Sequence, residues 1–129
     1  MSIEKIEQLL CKLLHSKIKG LKLVILFGSV ITDNFIPNQS DIDIAFLSDK
    51  TISNVLRWDY QEVLAAELNC DVDLIDLATA NDVLKFQIAT TGKVLYKQES
   101  IEVEYFLDRI YLDYLQLNED RAEILEYYR

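Results

Sequence analysis

Ile3, Ile6, Leu9, Leu10, Leu13 and Leu14 recur at helical spacing behind Ser2, which predicts an N-capped amphipathic helix closed by Gly20. The run at 21–27 then predicts a buried strand that ends at Gly28, where the backbone must bend sharply. A second strand is predicted over 42–47, a turn over 48–51, and a second amphipathic helix from Leu56, Tyr60, Val63, Leu64 and Leu68. Alternation over 71–77 predicts a third strand, Asn81 caps a helix through Ile88 that Thr91-Gly92 ends, and 94–96 makes a short last strand. From Ser100 onward the pattern is one long helix or two nearly continuous ones, with Val103, Phe106, Leu107, Ile110, Tyr111 and Tyr114 as an apolar stripe. The first half of that helix is expected to cover the core. The second half has little core left to cover, and its Tyr and Leu side chains suit a protein interface. The mixed lengths and the short glycine connection favour an α+β fold, a mixed β-sheet covered by helices with a long C-terminal helix, in a single domain over 1–129.

Two polar groups interrupt this pattern where packing gives no reason for them. Gly28-Ser29 follows the first strand directly, so its backbone N–H groups can point at a phosphate, and Ser29 adds a hydroxyl. Ser40-Asp41-Ile42-Asp43-Ile44 opens the second strand, and alternation sends Asp41 and Asp43 to one face while Ile42 and Ile44 take the other. Two carboxylates on one face suit magnesium, which takes a few carboxylates together with water and phosphate oxygens. Strand ends carry acids freely, so an Asp-x-Asp pair alone says little; the strand-Gly-Ser turn just ahead of it makes the pair specific. Nucleotidyl transfer calls for a third acid near the attacking oxygen, and the segment 71–77 offers it. Asp73 is the choice there. Asp71 sits at the strand entrance beside a turn, and Asp76 falls on the opposite face or in the next turn.

Leu26-Phe27-Gly28-Ser29, Ser40-Asp41-Ile42-Asp43-Ile44 and Val72-Asp73-Leu74-Ile75, in that order, resemble the minimal nucleotidyltransferases of the DNA polymerase β superfamily. The segment 89–96 resembles the helix-to-strand close of the same small domain. The helix around Tyr111-Leu112-Asp113-Tyr114-Leu115 resembles the tail of a narrower group, the MntA-type adenylyltransferase antitoxins that work beside a HEPN-domain ribonuclease toxin. The resemblance implies that Gly28 and Ser29 hold the triphosphate of ATP, that Asp41 and Asp43 hold magnesium (Mg2+), and that Asp73 completes the catalytic and metal-binding set. It implies AMP transfer from ATP to a tyrosine hydroxyl of the toxin, within a hetero-oligomer of the two proteins. Two departures stand out: eleven residues, 30–40, separate Ser29 from Asp41 where the common pattern has ten, and Val30 stands where an arginine is frequent.

Composition narrows the acceptor. At 129 residues, half of them hydrophobic, the chain has room for one core and none for an acceptor-binding domain. A net charge of −9 argues against DNA or RNA, whose binding needs clustered lysine and arginine. An acidic cleft would attract a cationic small molecule such as an aminoglycoside, and this is the alternative enzyme reading, weakened by the missing second domain. A third reading is a non-catalytic antitoxin that masks its toxin by contact. Cys11 and Cys70 lack metal-ligand spacing and are expected as free thiols in the cytoplasm. The charged N-terminus does not look secretory, no apolar run is long enough to span a membrane, and His15 is expected to face solvent without chemistry.

Overall fold

The computed structural model describes residues 2–32 and 40–127. Helix α1, Ile3–Lys17, starts where the Ser2 hydroxyl accepts the Lys5 N–H, and it buries Ile6, Leu10 and Leu14. It stops earlier than the glycine signal predicts. Ile18 is the C-cap in extended conformation and is itself buried, so the chain leaves the helix to sink that side chain; Gly20 lies beyond, in the turn to the first strand.

Strand β1, Leu21–Phe27, pairs antiparallel with β2, Ile42–Ser48, and on its other side with β4, Lys93–Lys97. Strand β3, Val72–Asp76, lies parallel to β2, giving the order β3-β2-β1-β4 in one mixed sheet, as the α+β reading expects. The two central strands are apolar on both faces because both faces are covered. On one side α1 and α2, Asn54–Leu68, pack Leu10, Leu14, Leu64 and Leu68 onto Val24, Leu26, Ile44 and Phe46. On the other, α3, Asp82–Thr91, and α4, Ile101–Tyr127, bring Ile88, Leu84, Phe106 and Leu107 against Leu23, Ile25, Ala45 and Leu47. Lys22, the polar exception in β1, forms ion pairs with Asp49 and with Glu102 of α4.

Two expectations about helix faces need correction. Leu56 is exposed, not part of a buried stripe, because in this part of α2 it is the neighbouring Arg57 that turns to β3 and bonds the Leu74 carbonyl; Leu64 and Leu68 are the residues the helix buries. Helix α4 is one continuous helix, with Val103 and Ile110 buried as expected, but Tyr111 is exposed at its rim. Tyr114 stacks on Phe86 of α3 with ring centres 3.8 Å apart, and Tyr111 meets the same ring edge-on at 5.6 Å. Beyond them Leu112 and Leu115 are exposed, in line with the interface reading. His15 is exposed, with its ring against Tyr96. Cys11 and Cys70 are free, and burial pushes both thiols up, with Glu7 adding to the effect at Cys11 and Asp71 then Asp41 at Cys70. Among the described residues no helix is long and apolar enough to cross a membrane.

Candidate active site

Phe27, the last residue of β1, is the register partner of Asp43, so the chain turns into the short 3-10 segment Gly28–Ile31 directly over that carboxylate. Gly28 has φ +78°, and a Cβ there would lie 2.2 Å from Asp43 Oδ2. Both conformation and space therefore demand glycine at this point. The Ser29 carbonyl accepts from the Thr32 N–H at 3.0 Å and from Thr32 Oγ1 at 2.8 Å, which fastens the turn. Val30 points the other way and is buried in the α1/α2 core. Position 30 therefore serves packing in this chain, not phosphate binding. Most of the loop that carries the extra residue, 33–39, lies outside the described residues.

Asp43 and Asp73 are register partners across the parallel β2–β3 pair, and each projects to the α3/α4 side of the sheet, as alternation predicts. Asp41 is exposed just ahead of β2. Asp43 is half-buried, and its carboxyl is raised above the usual carboxylate range, first by burial and then by the charges of Asp73 and Asp41. The sequence-predicted carboxylates thus share one electrostatic neighbourhood. Among the described residues no three His, Cys, Asp or Glu side chains converge closely enough to hold a metal ion. What the arrangement offers is hard oxygen donors with unbalanced negative charge, the chemistry that suits a divalent cation bound jointly with phosphate oxygens. Asp76, the last residue of β3, is buried on the face opposite Asp73, one of the two places expected for it, and its carboxylate accepts the Ala78 N–H at 3.0 Å.

A cleft of about 610 Å³ opens beside the glycine turn, lined by Phe27, Gly28, Ile31, Thr32, Asp43, Gln87 and Thr91. Gln87 and Thr91 of α3 are lining residues that sequence reasoning missed. A Cβ on Gly92 would come within 2.4 Å of Ile25 Cγ2, so that glycine lets the end of α3 press onto β1 and carries Thr91 to the cleft. Thr91-Gly92 just ahead of a strand is the sequence signal that could have found them. A second hollow of about 350 Å³ lies along the outer side of β3, bordered by Arg57, Asp73, Asp76, Thr79, Asn81 and Leu84.

A glycine turn beside a carboxylate pair, at the end of a small mixed sheet, is the frame of a nucleotidyl-transfer site, and the family model for polymerase β nucleotidyltransferases matches residues 4–101. This chain belongs to that family. The nucleotidyltransferase is 38% identical, over 93% of its length and 85% of the relative's, to protein adenylyltransferase MntA of Shewanella oneidensis. It is 30% identical to protein adenylyltransferase MntA of Aphanizomenon flos-aquae over 97% of its own length and 89% of that protein's. Among solved structures it resembles a toxin-antitoxin complex with AMP-PNP, with TM-score 0.83 and 38% identity, covering 93% of this chain and 95% of the other. It also resembles the MNT antitoxin crystallised with the tri-AMPylated HEPN toxin of Shewanella oneidensis, with TM-score 0.82, 36% identity and 97% of each chain covered.

Proposed function

We propose that this nucleotidyltransferase is an antitoxin that transfers AMP from ATP to a tyrosine hydroxyl of a cognate HEPN ribonuclease toxin and so neutralises it. The observation that carries the reading is the approach of Gly28 to Asp43, because it sets a phosphate-accepting turn against the carboxylate pair. Relatives that match over nearly the whole chain are adenylyltransferases, and one similar structure holds an AMPylated HEPN toxin. In this reading the triphosphate occupies the cleft that Gly28 and Thr91 line, with Ser29 next in the turn. The acceptor oxygen attacks the α-phosphorus, the new O–P bond forms as the bond to the bridging oxygen breaks, and pyrophosphate leaves. Asp73, exposed at the edge of the pair, takes the acceptor proton. Asp41, Asp43 and Asp73 do not converge into a cage of their own, so they would hold magnesium only jointly with the phosphate oxygens of ATP, whose charge the bound ion would offset.

The test is to incubate the protein with its toxin, ATP and magnesium and to weigh the toxin. A gain of one or more AMP groups that survives removal of the antitoxin supports transfer. Contact masking draws on the exposed Leu112 and Leu115 of α4, and it would leave the toxin's mass unchanged and its activity recoverable on dilution.

A further inference from the structure

Strand β3 is an edge strand, and at Leu74 its outer backbone groups are met by side chains, not by another strand. At Leu74, the residue after Asp73, the N–H donates to Gln61 Oε1 at 2.9 Å and the carbonyl accepts from Arg57 Nη1 at 2.8 Å. Arg57 and Gln61 stand one turn apart on α2, with Nη1 3.5 Å from Oε1, so the two side chains occupy the edge as a neighbouring residue of a fifth strand would. At Asp76 the carbonyl is taken by the N–H groups of Thr79 and Ala80. The backbone that follows Asp73 is thereby fixed from outside the sheet, while the inner edge of β3 is fixed by β2.

We infer that Arg57 and Gln61 are positioning residues for Asp73, holding the third carboxylate in register with Asp43 for the acceptor step. This rests on the proposed AMP transfer. An edge cap that served folding alone would fit at any point of the strand, yet this one grips the peptide adjoining the carboxylate, and Arg57 borders the same hollow as Asp73. The nucleotide cleft, lined from β1, β2 and α3, takes no residue from α2. Loss of the clamp should therefore act on turnover and leave ATP binding alone.

Arg57→Ala and Gln61→Met each remove one half of the clamp, Arg57→Lys keeps a donor for the Leu74 carbonyl, and Leu68→Val loosens α2 without touching it. The expected result is a kcat lowered on the order of 10- to 100-fold in the first two, at unchanged KM for ATP, with recovery in Arg57→Lys and none of this loss in Leu68→Val. Faster exchange of the Leu74 amide and a displaced Asp73 carboxyl carbon resonance should accompany the loss. Wild-type kcat per folded molecule in both Arg57→Ala and Gln61→Met would overturn the inference, as would an equal loss in Leu68→Val. If the wild type itself transfers no AMP, the functional reading fails, and the clamp is then decided by the Asp73 resonance: unmoved in Arg57→Ala, it is refuted.

Discussion

Strands β2 and β3 carry aspartates at matched register positions, but the two are held by different means. Asp43 sits on a central strand, hydrogen-bonded on both sides by other strands and pressed from above by the Gly28 turn. Asp73 sits on the edge, exposed, with side chains of α2 and a turn in place of an outer neighbour. Burial and like charge make the first carboxylate costly to ionise, whereas the second faces water. One sheet thus presents a half-buried carboxylate, held on both edges, and an exposed one within a single register pair. In the proposed transfer the first would grip the nucleotide and the second meet the acceptor.

Removal of the half-buried member should act most strongly. Asp43→Asn should lower AMP transfer by about 10²- to 10³-fold or more, since in the proposed site it deletes a charge at the reacting phosphates. The same change should leave the metal-free protein at least as stable as wild type at neutral pH. The sign follows from linkage: a carboxyl whose folded pKa is raised binds its proton more tightly when folded, so its contribution to stability falls as pH rises through that range. Melting curves of both proteins from neutral pH down to the usual carboxylate range check this, and a wild type that loses ground against Asp43→Asn on acidification would contradict it. Gly28→Ala comes next. Positive φ and the clash with Asp43 should cost roughly 1–3 kcal/mol in denaturant unfolding and displace the carboxylate, so transfer falls with stability.

Smaller effects belong to the far side of the molecule. Phe86→Ala removes the ring on which Tyr111 and Tyr114 pack, and should lower stability by about 1–3 kcal/mol by loosening α4. The smallest change in stability, within about 0.5 kcal/mol, is expected for Leu115→Ala at its exposed position, with weaker toxin binding as its signature. Titration calorimetry with the toxin distinguishes the two, and a Leu115→Ala protein with wild-type affinity would remove that residue from the interface.

The strands and the aspartates were legible because period-two alternation and a glycine between strand and loop are local signals. Residues 21–27 form β1 as predicted, and Asp43 and Asp73 share a face because each alternates with buried neighbours. What local pattern did not reveal depends on which surface each element meets. Val30 turns inward because the 3-10 segment carries it over the α1/α2 core, and Leu56 stays exposed because its neighbour Arg57 is the residue that faces β3. Arg57 and Gln61 read as ordinary polar helix positions until β3 is seen beside them. Gln87 and Thr91 enter the cleft through the close approach of α3 to β1 at Gly92, a contact between segments far apart in the chain.

The most direct test of the carboxylate pair is the intact mass of the toxin after incubation with ATP, magnesium and either wild-type protein or Asp73→Asn, each at the same concentration. Asp73 is exposed, so the substitution should preserve the fold and docking through α4 while weakening the geometry that transfer needs. The expected result is AMP added to the toxin by the wild type, little or none added by Asp73→Asn, and ribonuclease activity restored on dilution only in the second case. A toxin of unchanged mass in both incubations, silenced equally well by either protein, would contradict AMP transfer by this pair.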